Sequence, residues 1–112
     1  MKARFSIAIK FVADMDKAVR FHRDTLGLAL KFQSPGWSEF ATGEVTLALH
    51  PASETHPPGS VELGFNVEDL RAVYAGRARN GIDFNGEPKE LHGTLLGSFR
   101  DSEGALCGMS GS

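Results

Sequence analysis

The sequence predicts an α+β domain in which one strand-helix-strand-strand-strand module is used twice. Three observations carry this. Short period-2 runs are separated by Pro, Gly and Asn turns, two helical stripes each follow such a run behind an acidic cap, and the second half of the chain restarts the pattern of the first. With 112 residues there is room for one domain and not for a second independent one. The expected layout is a single domain over 1–112, with module one over about 5–50, a connector over 51–60 and module two over about 61–110.

Ile7, Ile9 and Phe11 alternate with Ser6, Ala8 and Lys10, the pattern of a half-buried strand over 6–12. Asp14 follows as a helix cap, since its carboxylate can accept from the unpaired amides of the first turn. Met15, Ala18, Val19, His22 and Leu26 recur at helical spacing opposite Lys17, Arg20, Arg23 and Asp24, and Gly27 suits a left-handed stop. Extended runs over 28–33, 37–41 and 45–50 come next, with Pro35-Gly36 and Thr42-Gly43 as turns. The segment 51–60 holds three prolines, which remove backbone donors and fix φ, so it reads as the connector.

The pattern then begins again. Val61, Leu63, Phe65 and Val67 alternate with Glu62, Gly64 and Asn66; Glu68-Asp69 supply a cap; Leu70, Val73, Tyr74 and Ala78 form a helical stripe that Gly81 ends. Setting Ser6 on Ser60 pairs Phe11 with Phe65, Ala18 with Ala72 and Val19 with Val73. Extended runs around 83–85, 95–100 and 105–109, with turns at Asn85-Gly86 and Ser102-Glu103-Gly104, complete the second module.

Composition excludes several functions. Hydrophobic residues at 41% and charged residues at 23% suit a folded domain. Twelve Lys and Arg against fourteen Asp and Glu give a net charge of −2 with the signs interspersed, so no basic stripe awaits nucleic acid or an anionic membrane, and a small molecule is the expected partner. The one cysteine, Cys107, has no internal disulfide partner and alternates with Ala105 and Met109 as a small buried hydrophobe. No apolar run approaches the ~20 residues that span a bilayer, and the first residues lack the pattern of a leader, so a cytoplasmic protein is expected. Asp14, Asp69 and Asp101 precede helices or turns and read as caps.

The stretch Phe11-Val12-Ala13-Asp14-Met15-Asp16-Lys17-Ala18-Val19-Arg20-Phe21-His22-Arg23-Asp24-Thr25-Leu26-Gly27-Leu28 carries a family likeness, together with Val67-Glu68-Asp69-Leu70 and Phe99-Arg100-Asp101-Ser102-Glu103-Gly104. The chain resembles the vicinal oxygen chelate superfamily of glyoxalases, bleomycin-resistance proteins, fosfomycin-resistance enzymes and extradiol dioxygenases. The resemblance implies that the tandem βαβββ modules form a U-shaped mixed sheet around a cavity, and that two chains form a homodimer. It also implies, for the enzymes, a divalent metal held by His or Glu from the first and last strands of each module. Here the first ligand position falls on Ile7, or on Ser6 or Ala8 with a one-residue slip, and the second falls among Thr46, Ala48 and His50. The third is Glu62 and the fourth is Gly108, which has no side chain to offer.

The chain therefore reads as a metal-free binding or sequestration protein like the bleomycin-resistance members, with no cofactor and an aromatic or cationic ligand such as an antibiotic. The alternative is a metal-dependent lyase or dioxygenase of the same superfamily, using Glu62 and His50 to hold Zn, Ni, Mn or Fe. The candidate ligand contacts are Trp37, His50, Glu62, Asn66 and His92. Trp37 follows a Pro-Gly turn where the family lines its cavity with aromatics, though an indole also suits a core or a dimer seam. Glu62 and Asn66 point away from the apolar side of their strand, and His92 beside Gly93 lies in the loop that overhangs the cavity in the family. His22 reads as a core-edge residue and His56 as a loop residue.

Overall fold

The computed structural model describes residues 1–111. Among them are nine strands, three short helices and one π-helical turn. The chain divides into two compact units: Ile7–Glu62, here the first unit, and Met1–Ser6 together with the chain from Leu63 onward, the second. Each follows the strand-helix-strands order that the repeat predicts, which makes the fold α+β.

The first unit comprises β1 (Arg4–Val12), which begins in the second unit, then α1 (Met15–Arg20), a π-helical turn Phe21–Thr25, β2 (Ala29–Gln33), β3 (Ser38–Ala41) and β4 (Thr46–Pro51). The order is β2-β3-β4-β1. Short turns make β2, β3 and β4 antiparallel, while β4 lies parallel to β1 with Phe11 opposite His50 and Val12 opposite Pro51. Alternation then sorts the side chains. Val12, Phe40 and Leu49 pack with Val19 of α1 and draw in Met15, Ala18, Leu28, Leu30 and Leu47. Val19, Phe40 and Leu49 are essentially inaccessible, and burying each stabilises the unit by about 1.5–3 kcal/mol. The opposite face of the strands carries Ile9, Phe11, Ala48, His50 and Glu39.

Asp14 caps α1, its carboxylate accepting from the Lys17 amide at 3.1 Å. The expected single helix to Gly27 is replaced after Arg20 by a π turn, in which the Leu26 amide donates to the Phe21 carbonyl at 3.1 Å. The wider turn rotates Leu26 off the apolar stripe and leaves it exposed, while His22 stays buried, its Nδ1 donating to the Ala18 carbonyl at 2.8 Å. His22 is thus a core residue, as its position on the stripe predicts.

The second unit contains most of β5 (Val61–Asn66), then α2 (Leu70–Ala75), α3 (Arg77–Asn80), β6 (Asp83–Phe84), β7 (Lys89–Leu91), β8 (Thr94–Arg100) and β9 (Leu106–Gly111). The order is β5-β9-β8-β6, with β7 paired to β8. Val67, Leu70, Val73, Leu95 and Met109 form the core, with Ile82, Phe84 and Phe99 against it. Cys107 is buried, as its alternation predicts, with its Sγ 4.0 Å from Asp101 Oδ2. The expected helical stripe is broken at Gly76, whose φ of −94° and ψ of 17° leave the helix, and α3 ends at Gly81 with φ 71°. Strand β7 has no counterpart in the sequence reading, because all three of its residues are exposed and no alternation marks it.

The register of the repeat also needs correction. The capping carboxylates Asp14 and Asp69 stand 55 residues apart, and each accepts from the amide three residues on. Val12 corresponds to Val67 and Phe11 to Asn66, whereas the sequence pairing at a separation of 54 set Phe11 on Phe65. A one-residue slip in a strand exchanges its faces. Phe65 meets Phe99, which packs on the core, while Phe11 lies on the face away from α1.

Candidate ligand-binding site

The face of the first unit that α1 does not cover collects aromatic and titratable side chains. Parallel pairing sets Phe11 beside His50, with ring centroids 5.4 Å apart. Trp37, just before β3, meets His50 edge-on at 6.2 Å. On the other side of Phe11 the His56 ring stacks at 4.2 Å and 25°. The four rings follow one another as Trp37, His50, Phe11 and His56, within the range where aromatic pairs attract beyond simple burial.

Each end of this wall carries a carboxylate. The Trp37 indole Nε1 donates to Glu39 Oε2 at 2.8 Å, and Glu39 Oε1 lies 3.9 Å from Lys31 Nζ. The bond fixes the indole's rotation, since an indole has this one donor. At the other end His56 Nε2 donates to Glu62 Oε1 at 3.2 Å, with the two side chains 28% and 19% exposed. Thr55 Oγ1 lies 3.2 Å from His56 Nδ1. The Pro51 carbonyl can only accept, so the contact of His50 Nδ1 with it at 2.8 Å puts the hydrogen on Nδ1 and leaves Nε2 as the acceptor.

The connector is held against β1. The Phe11 amide donates to the Ser60 carbonyl, the Gly59 amide to the Phe11 carbonyl and the Ala52 amide to the Val12 carbonyl, all at 2.8–2.9 Å. These bonds present His56 to Phe11. Sequence reasoning took His56 for a plain loop residue, because a histidine among prolines shows no periodicity. The available signal was its spacing of six from Glu62 across Gly59-Ser60, where a turn brings the two together.

Of the five predicted contacts, Trp37, His50 and Glu62 lie in the first unit, linked through Phe11 and His56. Asn66 and His92 lie in the second unit. Asn66 Nδ2 donates to Ser110 Oγ at 3.0 Å and to the Ser110 carbonyl at 3.3 Å, beside a hollow of about 290 Å³ lined by Arg71, Glu90, Thr94 and Gly111 among others. His92 is exposed in the turn between β7 and β8, with φ 53°.

The superfamily's divalent metal does not fit these residues. Ile7 pairs with Thr46 across β1 and β4, and Gly64 with Gly108 across β5 and β9, so the first of the four usual positions offers an alkyl group and the fourth nothing, while the second has only His50, at the strand's end, beside Thr46 and Ala48. Among the described residues no three His, Cys, Asp or Glu side chains come together to share an ion. A site with so few ligands holds a divalent ion weakly. Glu62 and His50, the metal ligands of the alternative reading, are engaged with His56 and with the Pro51 carbonyl respectively.

Two units in strand-helix-strands order, each with a parallel pair of strands beside its antiparallel ones, define a glyoxalase-type fold. Residues 5–107 match the family model of the Glyoxalase/Bleomycin resistance protein/Dioxygenase superfamily, and the chain belongs to that superfamily. It is 25% identical over 103 residues to the Uncharacterized protein YetH of Bacillus subtilis (strain 168), covering 84% of this chain and 86% of that one. Its fold is similar to that of methylmalonyl-CoA epimerase from Mycobacterium tuberculosis, with a TM-score of 0.77, 18% identity and coverage of 96% and 87%. It is also similar to a glyoxalase/bleomycin resistance protein/dioxygenase superfamily member from Vibrio splendidus 12B01, with a TM-score of 0.67, 19% identity and 98% coverage of each chain. These structural likenesses establish the vicinal oxygen chelate fold. No helix among the described residues is long and apolar enough to cross a membrane.

Proposed function

We propose that this chain is a metal-free binding or sequestration protein for a small, flat, aromatic molecule bearing positive charge. The observation that carries the reading is the ring series Trp37, His50, Phe11 and His56 with a carboxylate at each end, Glu39 and Glu62. The rings of Trp37, His50 and His56 can stack on a flat ligand, with Phe11 buried between the two histidines as their support, and a cation gains both from ring faces and from the two carboxylates. Asn66 and His92 remain proposed polar contacts for a ligand, each within the second unit alone. A homodimer in the cytoplasm, acting on an antibiotic-like molecule without a cofactor, completes the reading. The likeness to an epimerase extends to this chain as a fold only, since its identity is 18%.

Titration calorimetry of chelator-treated protein with flat aromatic cations, proflavine first, tests the reading. Binding near micromolar is expected. Trp37→Ala should weaken it about tenfold, or ~1.4 kcal/mol, without unfolding the protein. No heat across the panel, or equal affinity in the variant, ends the proposal. Millimolar nickel, zinc, manganese or iron(II) should leave the melting temperature in place; a native micromolar metal site would instead raise it by more than about 10 °C.

A further inference from the structure

Asparagine followed by glycine occurs twice in the second unit, at Asn80-Gly81 and at Asn85-Gly86, and the fold holds the two differently. The dipeptide matters chemically because a glycine has no side chain to hinder the approach of its amide nitrogen to the preceding asparagine's side-chain carbonyl. Both asparagines are exposed, so access to water does not separate them. Hydrogen bonding does. We infer that Asn85 is a site of spontaneous deamidation, and that the end of α3 shields Asn80 from the same reaction.

Asn80 is the last residue of α3. Its amide donates to the Gly76 carbonyl at 3.0 Å, the Gly81 amide to the Ala78 carbonyl at 3.3 Å and the Ile82 amide to the Arg77 carbonyl at 2.9 Å. The nitrogen that would attack is thus engaged, and turning it toward the Asn80 side chain means rotating Asn80 out of its helical ψ and opening this terminus. Breaking such bonds at about 0.5–1.5 kcal/mol each, with ~1.4 kcal/mol per tenfold in rate, slows attack at Asn80 by at least ~tenfold. Asn85 is held by its own amide, which donates to the Ser98 carbonyl at 2.7 Å. The next amide, that of Gly86, has no hydrogen-bond partner among the described residues, and Gly86 lies at φ 99° in the open link between β6 and β7. That nitrogen is free to turn.

In the reaction the Gly86 amide nitrogen gives up its proton and bonds to Asn85 Cγ, while the side-chain amide leaves as ammonia, taking up a proton, and a succinimide ring closes. Water then opens the ring. Breaking the nitrogen's bond to Cγ gives aspartate on an ordinary backbone; breaking its bond to the main-chain carbonyl carbon gives isoaspartate, with the backbone routed through Cβ. One water is consumed and one ammonia released, and no oxidant or reductant takes part. Either product adds a carboxylate between Asp83 and Glu87, and isoaspartate also lengthens the link by a methylene. The link has little slack for it, because Phe84 before it and Pro88 after it both lie over Gly97 of β8, where a Cβ would stand 3.2 Å from the Phe84 ring and 3.4 Å from Pro88. Phe84 packs on the second unit's core, so the longer product strains a core contact.

The test incubates the intact chain at mildly alkaline pH, folded and in parallel unfolded in guanidinium chloride. Fragmentation mass spectrometry of the tryptic peptide 80–89, which holds both asparagines, locates the conversion of amide to acid. In the folded chain Asn85 should convert at least ~tenfold faster than Asn80, and in the unfolded chain the two should convert at similar rates. Enzymatic methylation of isoaspartyl carboxyls should label this peptide from wild type and not from Asn85→Gln. The purified isoaspartyl form should melt below Asn85→Asp, which carries the same charge on an ordinary backbone; equal melting temperatures overturn the strain on Phe84. Asn80 converting as fast as Asn85 in the folded chain, or Asn85 staying intact there while the unfolded chain converts, overturns the assignment of Asn85. A rate gap that persists undiminished in guanidinium chloride overturns the shielding by α3.

Discussion

The two units apply one backbone scheme to different side chains, most clearly at one pair of equivalent positions. In the first unit the residue before the buried Val12 is Phe11, opposite His50, and the pair meets through rings 5.4 Å apart. In the second the residue before the buried Val67 is Asn66, opposite Ser110, and the pair meets through an amide and a hydroxyl at 3.0 Å. The strands are parallel in both cases and the cores on the helix side are alike. The shared scaffold therefore does not decide the chemistry. It is decided on the face away from the helix, where the first unit has an aromatic wall with carboxylates and the second has paired glycines, an amide and a hydroxyl.

Converting the first unit's pair toward the second's should have the largest effect. Phe11→Asn removes a buried ring that touches both His50 and His56, and leaves an amide without the hydroxyl that serves Asn66. Loss of a buried Phe costs about 3–5 kcal/mol. Urea denaturation should show this loss together with weakened ligand binding; a change under about 1 kcal/mol would mean that the wall is not packed as described. Next comes crowding at the end of β9. Gly111 is equivalent to Pro51, yet a Cβ at Gly111 would sit 2.6 Å from the Val67 carbonyl oxygen and 3.0 Å from the Leu70 amide. Gly111→Ala should cost about 1–3 kcal/mol and leave ligand affinity unchanged, since the obstacle is backbone that cannot swing aside. An Ala tolerated there without loss of stability would contradict the close approach of β9 to α2.

Much of this molecule was legible in the chain. The alternation of Ile7, Ile9 and Phe11, the Asp14 and Asp69 caps and the proline-rich connector led to the modular α+β fold, because each is a local signal with a local cause. The register of the repeat was not legible to the residue, since the 54 and 55 spacings both align hydrophobic residues and only the hydrogen-bonded caps separate them. The candidate site was legible in part. Trp37, His50 and Glu62 were named from strand position taken together with the family resemblance, but His56 lies near them through hydrogen bonds that hold the connector to β1, a long-range consequence that leaves no periodic trace. The π turn and β7 escaped for a similar reason: one differs from a helix by a single hydrogen-bond shift, and the other is an exposed strip without a face.

The smallest expected effect sharpens the comparison of the helical segments. The first unit leaves its helix through a π turn with Arg23 paired to Asp24 at 2.7 Å, whereas the second breaks at Gly76 and stops at Gly81. The hydrogen bond from Arg23 is the main cause holding the Asp24 carboxyl below the usual carboxylate range. A folded-state pKa below the unfolded one contributes stability that is present above the ordinary carboxylate range, and lost as pH falls through Asp24's own titration. Both side chains are open to solvent, so water and salt screen the pair and the contribution is slight. Asp24→Asn should therefore lower the melting temperature only marginally at neutral pH, and the difference from wild type should vanish in acid. A difference that widens in acid would reverse the sign of this linkage. A neutral-pH loss comparable to that of Gly111→Ala would mean that the π turn, and not the packing of Val19 and His22, holds the end of the first helix.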